Sequence, residues 1–227
     1  MLKTPCFRPG NIVEDSIKTL DAVACYLHKP MENRLVALIS KSSITPNQLT
    51  VVVIVLAYAA TDLFFLGRSL PASILTLVVG IADGLDGKLA RVKLKSSNLG
   101  ALEHSFDLLF EFSWFIALSW FLFSTTRSAT PLILCIFIIL FIAFYRHVYD
   151  QFRRTMGKSL DDAGDFERAF RRVAGRRNLY NVEILLGILL RVPLYSLTLV
   201  LFHSAVTAVV YSASAIKHTY AMDRRNM

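Results

Sequence analysis

Five carboxylates, Asp83, Asp86, Glu103, Asp107 and Glu111, fall within the stretch ADGLDGKLARVKLKSSNLGALEHSFDLLFE, which joins two strongly apolar runs. At 100° per residue, Asp83, Asp86, Gly87, Ala90 and Arg91 share one helical face, within an arc of about 140°. Gly100, Glu103, Asp107 and Glu111 share another, within about 80° and about one turn apart. Ionised carboxylates beside hydrocarbon each cost at least ~2.5 kcal/mol, and clustering adds mutual repulsion. A divalent cation pair would offset both costs. Hard oxygen ligands favour magnesium, manganese or calcium over zinc, and paired ions about 3.5 to 4 Å apart are a recurring clamp on a phosphoryl centre. Gly87 and Ala90 leave room for a ligand to approach the backbone, and Arg91 is a cation able to fork onto phosphate oxygens. The competing reading pairs the acids with Lys88, Arg91, Lys93 and Lys95 at a wet boundary. That reading leaves Glu111, deeper in its apolar run, unexplained.

The elements that must hold these residues are membrane spans. Hydrophobic residues make up 54% of the 227, and the mean hydropathy is +0.49, too apolar for a water-soluble domain of this size. Apolar runs read as six spans, roughly 49–66, 70–90, 100–124, 131–149, 179–191 and 194–215, the fifth of them short. GRSLP, TTRSATP and RVP punctuate tight connections on one side. On the other side lie 22 of the 25 Lys and Arg residues, against Arg68, Arg127 and Arg191 alone. The positive-inside rule therefore places both termini, the long connections and the acidic stretch on the cytoplasmic side. A basic face beside spans suits anionic lipid headgroups or an anionic substrate, and does not point to nucleic acid.

Before the first span, Leu35, Leu38 and Ile39 recur at helical spacing with Arg34 and Lys41 off that face, the pattern of an amphipathic interfacial helix. The expected fold is an all-α integral membrane protein with six transmembrane helices and this N-terminal interfacial helix. Its domains would be a cytoplasmic segment 1–47, a catalytic bundle 48–216 and a tail 217–227. Residues 157–178 mix both charges and are expected to form a cytoplasmic loop with one short helix. Cys6, Cys25 and Cys135 lack metal-type spacing and read as free thiols, and no cleaved signal peptide is expected.

The run DGLDGKLAR, followed by eight residues and Gly100, resembles the signature of the CDP-alcohol phosphotransferase (phosphatidyltransferase) family, DxxDGxxAR, eight residues and Gly. ITPNQLT resembles the PNxxT segment before that family's first span, and six spans with cytoplasmic termini also look like its members. The family then places aspartates four and eight residues after the glycine, where this chain has His104 and Leu108. Glu103 and Asp107, each one residue earlier, keep the spacing and read as a one-residue deletion. A shifted alignment would use Asp107 and Glu111 instead.

The resemblance implies transfer of a phosphatidyl-type group from a CDP-linked lipid alcohol, such as CDP-diacylglycerol, to a small alcohol acceptor, with release of CMP in phospholipid biosynthesis. It implies Mg2+ or Mn2+, two ions, held by Asp83, Asp86, Glu103 and Asp107, with Asp107 also the general base and Glu111 the alternative base. Asn47, Thr50, Gly87, Ala90, Arg91, Ser97 and Gly100 would surround the nucleotide and diphosphate, although TPN before a helix is also an ordinary cap. In some relatives arginines near the ends of the fourth and fifth spans hold a phosphorylated acceptor such as inositol phosphate or glycerol phosphate. Arg146, Arg153, Arg176 and Arg177 are placed for that here, where the positive-inside rule also demands basic residues. A homodimer is the family expectation. Two other readings stand beside this one: a membrane prenyltransferase acting on a prenyl diphosphate, and a catalytically silent relative serving as a binding or scaffold subunit.

Overall fold

Long apolar runs broken by short Gly, Ser and Pro turns leave the backbone one way to satisfy its polar groups within hydrocarbon, the helix. The computed structural model describes residues 35–37, 39–40, 42, 44–92 and 99–226; at 46, 86–88, 90–92, 99–104, 225 and 226 it describes the backbone alone. Among the described residues there are helices and no strands: α1 (Pro46–Phe65), α2 (Ser69–Val92), α3 (Leu99–Thr126), α4 (Thr130–Met156), α5 (Asp165–Phe170), α6 (Arg177–Leu189) and α7 (Pro193–Asn226). Segments within α1, α3, α4 and α7 are long and apolar enough to cross a membrane, and Ser69–Leu85 is a shorter apolar helix. Val51, Val55, Ile136, Leu140, Phe202 and Val209 turn outward, a distribution that water would penalise and lipid accepts. The chain is an integral membrane protein.

Packing closes the six long helices into a ring. α1 packs on α2 and α3, α3 on α4, α4 on α7, α7 on α6, and α6 returns to α2. Inside it, Trp114 stacks on Phe64 and Phe115 with centroids 5.6 Å and 3.9 Å away, and Ile138, Ile142, Ile184 and Leu197 are fully or almost fully buried.

Local signals set the helix ends. Thr45 and Gln48 form a capping box before α1: the Gln48 N–H donates to Thr45 Oγ1 at 3.3 Å and the Thr45 N–H to Gln48 Oε1 at 3.0 Å, with Pro46 in the first turn. The turn after α1 needs Gly67, whose φ is +74° and where an added Cβ would lie 2.3 Å from the Phe121 ring. α4 ends on Gly157, also left-handed at φ +66°.

The connection expected as a loop with one short helix contains a 3-10 turn, Leu160–Asp162, and then α5. It is stitched to the bundle: Tyr145 donates to the Gly175 carbonyl at 2.8 Å and the Gly175 N–H donates to Thr207 Oγ1 at 2.8 Å. The expected interfacial helix lies mostly outside the described residues, although 35–37 and 39 are helical and the Ser40 N–H donates to the Val36 carbonyl at 2.8 Å. Cys6, Cys25, His28 and Ser97 lie outside the described residues as well.

Candidate functional site

The ring brings the acids of α2 and α3 opposite the first residue of α6. Arg177 spans the two carboxylates, with one guanidinium nitrogen on Asp107 Oδ1 at 2.9 Å and the other ion-paired with Asp83. Its side chain is 11% exposed, against 22% for Asp83 and 25% for Asp107, so the bridge sits largely out of water. The guanidinium also lies 5.9 Å from the centre of the Phe110 ring. Burial works against its charge, and the two carboxylates offset that cost. Carboxylate oxygens facing each other from two helices are the donor type a hard divalent ion takes, and in this structure the Arg177 guanidinium holds the position between them as their counter-charge. Among the described residues no group of three or more such ligands converges. The side chains of Asp86 and Glu103, with Gly87, Ala90, Arg91 and Gly100, lie outside those described.

About one turn deeper on α3, Glu111 is fully buried and ion-paired with Arg146 of α4. Beside these pairs opens a cavity of about 290 Å³ lined by Arg146, Arg153, Arg176 and Arg177, by Asp107 and Asp150, and by Tyr145, Tyr149, Asn178 and Tyr211. Three of its four guanidinium groups are already ion-paired, Arg146 with Glu111, Arg176 with Asp161 and Arg177 with Asp83 and Asp107; the fourth is Arg153, and forked donors of this kind are the groups that engage phosphate. A second, narrow cleft of about 10 Å³ lies between α1, α2 and α3, where Thr50, Asp83 and Asp107 meet Val53, Ala57 and Phe106. Asp107 is common to both.

Of the residues singled out from sequence, the structure thus gathers Thr50, Asp83, Asp107, Arg146, Arg153, Arg176 and Arg177. Asn47 is exposed on the first turn of α1. His203 is paired with Glu183 and with the Val173 carbonyl at 2.7 Å, and His218 with Glu167 at 2.9 Å. Sequence reasoning passed over Tyr145, Tyr149, Tyr211, Asn178 and the buried Asp161. The available signal was the presence of tyrosines, in place of phenylalanine, on the inward faces of apolar helices, since a buried phenol needs a partner.

Asp161 lies behind the cavity wall. It is fully buried, accepts from the Tyr149 hydroxyl at 2.7 Å and the Tyr211 hydroxyl at 3.3 Å, and pairs with Arg171 at 3.1 Å and Arg176 at 3.7 Å. Burial raises its pKa, while the Tyr149 hydrogen bond and the charge of Arg176 pull the other way.

Known proteins resemble this chain in sequence and in fold. Inner membrane protein YnjF of Escherichia coli (strain K12) is 37% identical over 82 residues, 36% of this chain and 40% of that protein, so the chain matches well under half of that relative's length. Crystal structures of the phosphatidylinositol phosphate synthase of Mycobacterium tuberculosis share the fold. The one with CDP-DAG bound superposes with a TM-score of 0.63 at 16% identity, covering 84% of this chain and 94% of that one. The complex with manganese and citrate gives 0.62 at 17% identity, covering 83% and 88%. The CDP-alcohol phosphatidyltransferase family matches residues 43–209, from the cap of α1 into α7, and with most of its length inside that match the chain belongs to this family.

Proposed function

We propose that this protein transfers a phosphatidyl-type group from a CDP-linked lipid alcohol, such as CDP-diacylglycerol, to the hydroxyl of a small alcohol, releasing CMP in phospholipid biosynthesis. Family membership supports the reaction class. The observation that carries the assignment of roles is the position of Asp107, on the wall between the Thr50 cleft and the arginine-lined cavity. A group there can reach a donor on one side and an acceptor on the other.

In this reading Asp83, Asp86, Glu103 and Asp107 hold two Mg2+ or Mn2+ ions, which when bound spread the charge developing on the diphosphate. Asn47, Thr50, Gly87, Ala90, Arg91, Ser97 and Gly100 border the nucleotide and diphosphate. Asp107 takes the proton of the acceptor hydroxyl as its oxygen bonds to the lipid-bearing phosphorus and the bond to CMP breaks. Arg146, Arg153, Arg176 and Arg177 favour an acceptor that itself carries phosphate, such as inositol phosphate or glycerol phosphate. Asp107 and Glu111 are each paired with an arginine, but Asp107 lines both cavities whereas Glu111, the alternative base, is fully buried and lines neither, which supports the alignment through Glu103 and Asp107.

The same reading has all six long helices crossing the bilayer, both termini and the site on the cytoplasmic side, residues before α1 lying on the membrane surface, and a homodimer as the assembly. A second reading, a catalytically silent binding subunit, is favoured by His104 and Leu108 where the family has aspartates and by the cation that Arg177 already supplies to Asp83 and Asp107.

The test is CMP release from CDP-diacylglycerol over a panel of inositol phosphate, glycerol phosphate, serine, inositol and glycerol, with magnesium or manganese. Acceptor-dependent release that Asp107→Asn abolishes is the expected result. Undiminished turnover in that variant removes Asp107 as the base, and lipid binding without release under any metal supports the silent reading.

A further inference from the structure

Three residues on the cavity wall, Tyr149, Arg176 and Tyr211, come from α4, the connection before α6, and α7, and all three point back to one carboxylate. That carboxylate, Asp161, is fully buried and is not itself part of the lining. A tyrosine hydroxyl that donates to a fixed acceptor keeps its lone pairs turned away from it, free to accept from the hydroxyl of a ligand, and a guanidinium leaning on a carboxylate loses rotamer freedom before any phosphate arrives. Arg171 pairs with the same carboxylate from outside the lining, helping to balance its charge without entering the cavity.

We infer that Asp161 is a positioning residue for the acceptor: it holds Arg176 where the guanidinium can meet the phosphate of the ligand, and Tyr149 and Tyr211 where their lone pairs can accept from the ligand's hydroxyl groups. This rests on the cavity being the acceptor site of the proposed reaction, and it adds a determinant from a segment outside the acidic motif. Glu167 provides the contrast. It sits on the same connection, is nearly buried, and bonds to Ser214 and to His218, none of which lines the cavity.

The experiment compares Asp161→Asn, Asp161→Glu and Glu167→Gln in the full-length purified protein. Steady-state CMP release is measured while CDP-diacylglycerol and glycerol 3-phosphate or inositol phosphate are varied separately. Equilibrium binding of glycerol 3-phosphate is followed by calorimetry, which needs no turnover. Loss of charge-assisted contacts behind the wall is expected to raise the acceptor KM and Kd about tenfold in Asp161→Asn. The KM for CDP-diacylglycerol should stay within about twofold, and Asp161→Glu should recover part of the affinity. Glu167→Gln should lower thermal stability and leave acceptor binding unchanged. If Asp161→Asn does not fold, Asp161→Glu is read alone, with a Kd raised about threefold expected from a displaced carboxylate. Unchanged acceptor affinity in a folded Asp161 variant, an equal effect in Glu167→Gln, or absence of binding to the unmodified protein overturns the inference. Absence of CMP release with the binding pattern intact overturns the proposed reaction alone.

Discussion

Replacing Arg177 by glutamine removes the charge that joins Asp83 to Asp107 and leaves a neutral hydrogen-bonding group on a shorter side chain. The cost follows from the burial of the three side chains, 11% exposed for the arginine and about a quarter for the two aspartates. Breaking a fully buried ion pair costs about 3–5 kcal/mol, and an exposed pair contributes about 0–1. A partly buried pair lies between, and two of them sharing one cation give about 2–3 kcal/mol. For a chain of this size each kcal/mol moves the unfolding midpoint by about 2–4 °C, so Arg177→Gln should lower it by about 4–12 °C in EDTA. Manganese at saturating concentration can supply the missing charge to the same carboxylates, and its stabilisation should be larger in the variant than in the parent. Arg177→Lys should fall between, since a compact ammonium keeps the charge but lacks the planar fork that spans both carboxylates. The assay is thermal unfolding in detergent followed by tryptophan fluorescence, with EDTA and with manganese. An unchanged midpoint in EDTA, or a deficit that manganese leaves untouched, would refute the electrostatic account.

Glu111→Gln should not be silent: it strands the Arg146 guanidinium beside a fully buried position, at about 3 kcal/mol, read as an earlier thermal transition. Gly175→Ala places a Cβ 2.1 Å from the Tyr180 hydroxyl and 2.9 Å from Thr207 Oγ1; overpacking of about 1–3 kcal/mol is expected by the same measurement. For Glu167, burial works to raise the pKa, but hydrogen bonds from Ser214 and His218 hold it below the usual glutamate value. The stability it contributes is therefore complete above about pH 4.5 and lost as pH falls through the lowered folded value, a dependence that Glu167→Gln should flatten in acid unfolding scans.

Much of this was legible in the residues themselves. Apolar run lengths and turn residues put the six long helices within a few residues of their places for four of them, because hydrocarbon leaves few alternatives to a helix. α4 and α7 instead run on well past their apolar stretches, to Met156 and Asn226, as polar continuations that no span length anticipates. Helical spacing put Asp83 and Asp107 each on an acidic face of its own helix, and charge placement gathered the arginines. The partners were not legible. Arg177 meets Asp83 and Asp107 across 94 and 70 residues, and Asp161 meets Tyr211 across 50. Such pairings depend on the order in which helices sit around the ring, which local periodicity does not encode. Glu111 illustrates the point: its spacing fits a catalytic register as well as that of Asp107 does, and only the packing shows that Glu111 is buried against Arg146, away from both cavities that Asp107 lines.

The ring closes where α6 meets α2, and that closure bears on biogenesis. A nascent chain that has delivered the first three helices to the bilayer already holds Asp83, Asp107 and Glu111, while Arg146 and Arg177 are still to be synthesised. Charge balance at the centre is thus a late event, dependent on contacts remote in sequence, which are the slow ones to form. Fragments ending before residue 177 would carry unmatched acids among apolar helices, and a membrane quality-control system that recognises intramembrane charge would have a physical basis for distinguishing them from the finished protein.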